Sequence, residues 1–184
     1  MAPSSFAGSR PQFKHSKPPR KGAVLIMLYE KNGEIHFPLI QRPLYEGVHS
    51  GQMALPGGRY EEEDESLIST ALRETHEEVG ISPDTIEVIG SLSEFMVTAS
   101  NHLILPVVGF ANQPPTFVAN EVEVAEIIEA PLSQLLDERR IKEKEIVTAH
   151  GYRLRSPYFD LEDKVVWGAT AMMLSEFATI LKEL

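Results

Sequence analysis

A chain of 184 residues with 42% hydrophobic content can bury one ordinary core, so a single domain is expected. The absence of cysteine excludes disulfides, thiolate metal sites and thiol nucleophiles, and leaves oxygen and imidazole as the metal donors. A net charge of −10 sets the body against nucleic acid, and no run of about eighteen apolar residues or apolar leader is present, so a cytoplasmic protein with no membrane contact is expected.

The charge is unevenly spread. Residues 1–22 carry Arg10, Lys14, Lys17, Arg20 and Lys21 with no acid, so five cations there leave −15 for the remainder. Residues 1–21 are expected to form a flexible basic arm, with the folded domain spanning 22–184. Arg20 and Lys21 adjoin the first strand and stand within reach of a bound phosphate.

The first strand is expected at Gly22–Glu30, followed by the turn signal Lys31-Asn32-Gly33 and a second extended run, Glu34–Arg42. Helical spacing then predicts a helix over Glu65–Val79, with Leu67, Ile68, Ala71, Leu72, Thr75 and Val79 on its buried face. Strands are expected at Thr85–Val97, His102–Phe110 and Glu121–Glu129, a helix at Pro131–Arg140, and strands at Glu145–His150, Tyr152–Arg155 and around Val165. A closing helix covers Gly168–Leu184. This order lacks a regular βαβ rhythm, and a mixed sheet with helices on both faces fits it best.

The helix carries the chemistry. At about 100° per residue, Glu74, Glu77 and Glu78 form one acidic stripe beside the apolar face. Glu61–Glu65 suit the positive end of the helix dipole, whereas Glu77 and Glu78 precede the stop residue Gly80, where the dipole disfavours anions. Alone, such a stripe is more often a solvated face than a metal site. Just upstream, however, Leu55-Pro-Gly-Gly-Arg59 supplies a side-chain-free backbone able to approach a cation or a phosphate. Hard oxygen donors in this pattern suit Mg²⁺ or Mn²⁺.

Gly58, Arg73, Glu74, Glu77, Glu78, Gly80 and Ile81 resemble the box of the Nudix hydrolase family: glycine, five residues, Glu, seven residues, Arg-Glu, an apolar residue, any residue, Glu-Glu, any residue, glycine, an apolar residue. Thr75 takes the apolar slot, and six residues rather than five separate Gly58 from Glu65. The flanks resemble the coenzyme A pyrophosphatase branch, whose longer motif has the same extra residue. Arg42, His49, Gly51, Pro56, Gly57, Gly58, Asp64 and Thr70–Glu74 fit it in register, with Pro43, Glu46, Leu55, Arg59 and Glu61 as substitutions.

The resemblance implies a Nudix α/β/α sandwich with a mixed β-sheet. It implies hydrolysis of a nucleoside diphosphate derivative, with Mg²⁺ or Mn²⁺ held by Glu74, Glu77, Glu78 and the Gly58 carbonyl, and Arg73 orienting a loop carboxylate, Glu65 or else Asp64 or Glu63. Candidate general bases are Glu74, Glu123 and Glu126; strand alternation puts Glu123 and Glu126 on opposite sides of a regular strand. Arg42, His49, Gln52 and Arg59 are substrate-binding candidates, with Trp167 and Met172 nearer to core positions. Coenzyme A or an acyl derivative is the expected substrate. ADP-ribose, a dinucleoside polyphosphate, or a non-catalytic nucleotide-binding role are the alternatives, and a homodimer is left open.

Overall fold

Two alternating faces of one long strand organise the molecule. The computed structural model describes residues 5–6, 14–45, 49–147 and 153–184. In chain order the strands begin with β1 (Ser5–Phe6), β2 (Arg20–Lys31), β3 (Glu34–Gln41), β4 (Met53–Ala54) and β5 (Gly57–Arg59). Helix α1 (Leu67–Val79) follows, then β6 (Ile86–Ser91), β7 (Phe95–Val97), β8 (His102–Ala111) and β9 (Glu126–Pro131). The chain closes with α2 (Leu132–Leu136), β10 (Ile141–Val147), β11 (Arg153–Leu161), β12 (Lys164–Trp167) and α3 (Gly168–Glu183).

The larger sheet runs β4-β3-β2-β8-β6, with β5 added to β2, β7 to β8 and β9 to β3. Its β2–β8 pair is parallel and β2–β3 is antiparallel, so the sheet is mixed. The smaller sheet, β1-β11-β10 with β12 on β11, is antiparallel.

Ala23, Leu25, Met27 and Tyr29 of β2 pack with Val107 and Ala111 of β8 against Ala71 and Val79 of α1. The opposite face, through Ile26, Phe37, Leu39 and Val108, meets Phe159, Leu161 and Val166 of the small sheet and Met173, Leu174 and Phe177 of α3. Helices therefore flank the mixed sheet on both sides, the expected α/β/α layering. Among the described residues no helix is long and apolar enough to cross a membrane.

Several boundaries differ from expectation for local reasons. The first strand begins at Arg20, because its ten-residue parallel register with β8 starts there, opposite His102. The expected strand over Thr85–Val97 divides into β6 and β7 around Leu92–Glu94, where Leu92 N–H turns to Pro106 O (2.8 Å) and Ser93 N–H to the Glu176 carboxylate (3.0 Å). The helix expected over Pro131–Arg140 is only α2 plus a 3₁₀ turn at Glu138–Arg140, which the Asp137 side chain caps. The strands expected at Glu145–His150 and Tyr152–Arg155 belong to β10 and β11, and residues 148–152 lie outside the described residues.

Candidate active site

Helix α1 starts at Leu67, two residues later than its spacing predicts, because Ser66 acts as its N-cap and accepts the Ser69 N–H (3.1 Å). Gly80 ends it, with its N–H donating to His76 O at 2.9 Å. Its buried side is Thr70, Ala71, Thr75, Glu78 and Val79. Ile68, assigned to that side by periodicity, is 37% exposed, since the face rolls toward Thr70 and Glu78 where α1 meets β5.

Glu78 is 2% exposed, an unusual depth for a carboxylate. Gly57 N–H donates to its Oε2 at 2.8 Å. Burial pushes its pKa up to about 7, against that bond and the nearby Arg42 charge, while Glu74 and Glu123 add to the rise. Burial likewise raises half-buried Glu74. Gly57 has φ 144° and lies so close to Val24 that a Cβ would be 3.0 Å from Val24 Cγ1. A Cβ at Gly58 would run into the Glu74 carboxylate. The two glycines thus let β5 press its bare backbone against two acidic side chains.

Arg73 ties this centre together. Its Nε and Nη2 donate to Asp64 Oδ1 (2.8 Å) and Oδ2 (3.0 Å), its Nη1 to Glu74 (3.1 Å) and Glu77 (3.2 Å), and its Nη2 also to Arg59 O (3.0 Å). These bonds match the guanidinium's five N–H donors, so Arg73 is a brace. The loop carboxylate it orients is Asp64, and Glu65 is exposed. Asp64 is buried, accepts Thr70 Oγ1 (2.8 Å) and Glu61 N–H (3.0 Å), and is held far below the usual carboxylate range by its bonds to Arg73.

The strand expected over Glu121–Glu129 begins only at Glu126; residues 121–123 form a turn. Asn120 builds that turn, its N–H donating to Glu78 O (2.9 Å), its Oδ1 accepting Val122 N–H (3.1 Å) and its O accepting from Glu123 (3.0 Å) and Val124 (2.8 Å). Val118 N–H donates to Val79 O at 2.9 Å. The last carbonyls of α1 thereby fasten the segment that carries Glu123, and its charge is felt at both Glu74 and Glu78. Glu126 is drawn away to Lys164 Nζ (2.6 Å). The turn removes the strand alternation from which the two were weighed against each other. Asn120 was missed because one turn-forming residue in a loop carries no periodic signal.

Of the other candidates, Arg42 is half-buried close enough for its charge to favour ionised Glu78, and its N–H donates to Gln52 O (3.0 Å). His49 has φ 76° and pairs its Nδ1 with Gln52 Oε1 (3.1 Å). Gln52 lines a cleft of about 370 Å³ with Gly51, Lys144, Val165 and Trp167. Arg59 lends its carbonyl to Arg73. Met172 is half-buried in α3, next to the core residues Ala171 and Met173.

Among the described residues no three Asp, Glu or His side chains are drawn into a ready coordination shell, because Arg73 spans Glu74 and Glu77. The donor chemistry nevertheless fits a hard divalent cation. A buried carboxylate with its pKa near neutrality, two further acids that raise it, and a glycine backbone against Glu74 form an all-oxygen set.

Similarity to known proteins agrees with this geometry. The NUDIX domain model matches residues 19–150. Nudix hydrolase 15, mitochondrial, of Arabidopsis thaliana is 35% identical over 176 residues, covering 90% of this chain and 60% of its own length. The chain thus spans less than two thirds of that plant relative's length. The uncharacterized Nudix hydrolase NudL of Salmonella paratyphi B is 34% identical over 176 residues, covering 95% of this chain and 90% of its own. In fold, an Ap4A hydrolase from C. elegans in a binary complex superposes with a TM-score of 0.59 at 16% identity, covering 90% of this chain and 99% of that one. The acidic helix, its arginine brace and the glycine strand beside it are set in a chain that belongs to the Nudix hydrolase family.

Proposed function

We propose that the protein is a divalent-metal-dependent pyrophosphohydrolase whose substrate is coenzyme A or an acyl derivative. Water would cleave the diphosphate to give adenosine 3',5'-bisphosphate and 4'-phosphopantetheine or its acyl form. The observation that carries the hydrolytic reading is Glu78: a buried carboxylate with a single backbone donor, crowded by Glu74 and Glu123, costs stability unless a cation joins it.

Glu74, Glu77, Glu78 and the Gly58 carbonyl would hold Mg²⁺ or Mn²⁺, which supplies charge neutralisation for the diphosphate and activation of the attacking water. Asp64 and Arg73 keep Glu74 and Glu77 in place. Glu123 serves as general base, because its turn is pinned to the end of α1 while Glu126 is engaged by Lys164. Arg42, beside Glu78, contacts the diphosphate, and the cleft beyond Gln52 receives the pantetheine arm.

The coenzyme A assignment rests on Arg42, His49, Gly51 and Asp64 standing in register with that branch's motif. Coenzyme A, ADP-ribose and a dinucleoside polyphosphate should be incubated with Mg²⁺ or Mn²⁺ and their products resolved by mass. Coenzyme A should be consumed with the highest kcat/KM. Preferential loss of ADP-ribose or of the dinucleoside polyphosphate would replace the substrate assignment, and no turnover of any would leave a binding protein.

A further inference from the structure

Three basic side chains line up across three neighbouring strands beside the carboxylate centre. Arg20 of β2 stands opposite His102 of β8, and Gly22 of β2 stands opposite Arg59 of β5. Residues 20 and 22 share one face of β2, so Arg59, Arg20 and His102 project to the same side, the face turned away from α1. Directly opposed side chains stand about 5 Å apart and diagonal ones about 7–8 Å. Between Arg59 and His102 lies Gly22, whose missing side chain lets the Gly58 carbonyl oxygen and the Ile104 side chain close over the strand, so the basic groups stand around that point rather than on it.

Among the described residues neither Arg20 nor Arg59 makes a side-chain ion pair, whereas Lys31, Arg73 and Lys164 each pair with a carboxylate. Burial, then Arg20 and Arg59, and also His49, lower the pKa of His102. His49 therefore approaches from the turn that leads into the cleft. His102 Nδ1 is engaged with Ser100 Oγ (3.0 Å). The loop before it is fastened by His15 Nε2 on Thr98 O (2.7 Å) and by Asn101 Nδ2 on Lys17 O (3.0 Å) and Pro18 O (3.3 Å). Like charges placed side by side on a fixed sheet oppose folding, and an anion between them reverses the sign.

We propose that Arg20, Arg59 and His102 form a second anion subsite that binds a phosphomonoester carried by the nucleotide, distinct from the diphosphate under attack. Two guanidiniums match a dianion in charge and offer paired N–H groups to its oxygens. Arg59 directly follows Gly58 on β5, and its carbonyl is bonded to Arg73, so the row adjoins the carboxylate centre through that strand. The inference deepens the pyrophosphohydrolase reading and rests on it for the kinetic readout.

The test uses matched pairs differing by one phosphate: coenzyme A against 3'-dephospho-coenzyme A, ADP-ribose against its 2'-phosphate, and, by calorimetry, adenosine 3',5'-bisphosphate against AMP. The phosphorylated member should have a KM or Kd at least about tenfold lower, the discrimination of one good charge-assisted contact. In Arg20→Gln and in His102→Gln, each checked for folding by circular dichroism, that ratio should fall to within about twofold. Inorganic phosphate should weaken bisphosphate binding but leave AMP binding alone. Equal affinities in the parent protein, a ratio that survives both substitutions, or equal competition by phosphate against AMP would each overturn the subsite. Bisphosphate discrimination without turnover of any substrate would instead retain the subsite and remove the hydrolase.

Discussion

Two partly or fully buried glutamates at different ends of the mixed sheet have opposite fates. Burial raises Glu78 to a pKa of about 7, and Glu74 and Glu123 add to the rise, which the Gly57 N–H bond and the Arg42 charge oppose without overcoming it. At Glu129 burial acts the same way, yet hydrogen bonds from Lys31 Nζ (2.9 Å) and Tyr29 Oη (2.7 Å) overcome it and hold the group below its ordinary value. Depth alone therefore does not mark a functional carboxylate. The partners do: Glu129 is neutralised within the fold, while Glu78 is left for something outside it.

The contrast breaks most visibly at Glu78. Glu78→Gln keeps an acceptor for Gly57 N–H, so the fold should persist while kcat on the preferred diphosphate falls at least about 10²-fold. Undiminished turnover would strip Glu78 of its role. Arg73→Lys should come next. A single ammonium cannot replace five directed donors, and urea unfolding should show a loss on the order of 2–3 kcal/mol, from leaving buried Asp64 without its forked partner, together with reduced activity.

Metal-free protein should also betray Glu78 through pH. Its folded pKa of about 7 lies above the 4.5 of the free group, so between these values the folded state keeps a proton that the unfolded chain has released. That stabilisation is complete below the unfolded value and disappears as pH rises through about 7, with a slope of up to about 1.4 kcal/mol per pH unit from this one group. Glu78→Gln should flatten this part of the profile, and so should added Mg²⁺ or Mn²⁺, which competes for the deprotonated form. Melting curves from pH 5 to 8 that are identical with and without the substitution would contradict the burial argument.

The smallest effect belongs to the neutralised glutamate. Tyr29→Phe removes one donor to Glu129 but keeps the edge-on packing of the ring on Phe117, at 5.8 Å between centroids. Chemical denaturation should register a loss of about 1 kcal/mol, with kcat unchanged. A large fall in activity would mean that the two ends of the sheet are coupled.

The primary structure by itself determined the acidic stripe, the glycine pair and the closing helix, because each is local: helical spacing places Glu74, Glu77 and Glu78 on adjacent turns, and residues without Cβ are legible wherever backbone must come close. A mixed sheet with helices on both faces also followed from the order of the expected strands and helices, and the α/β/α sandwich from the family resemblance. What a linear reading leaves open is which acid receives Arg73, where a turn replaces a strand at Asn120–Glu123, and which glutamate Lys164 captures. These depend on residues far apart in the chain, such as the bond from Asn120 N–H to Glu78 O and that from Lys164 to Glu126. Only the folded arrangement decided them, since hydrogen bonds and electrostatics depend on separations in space that spacing along a chain does not encode.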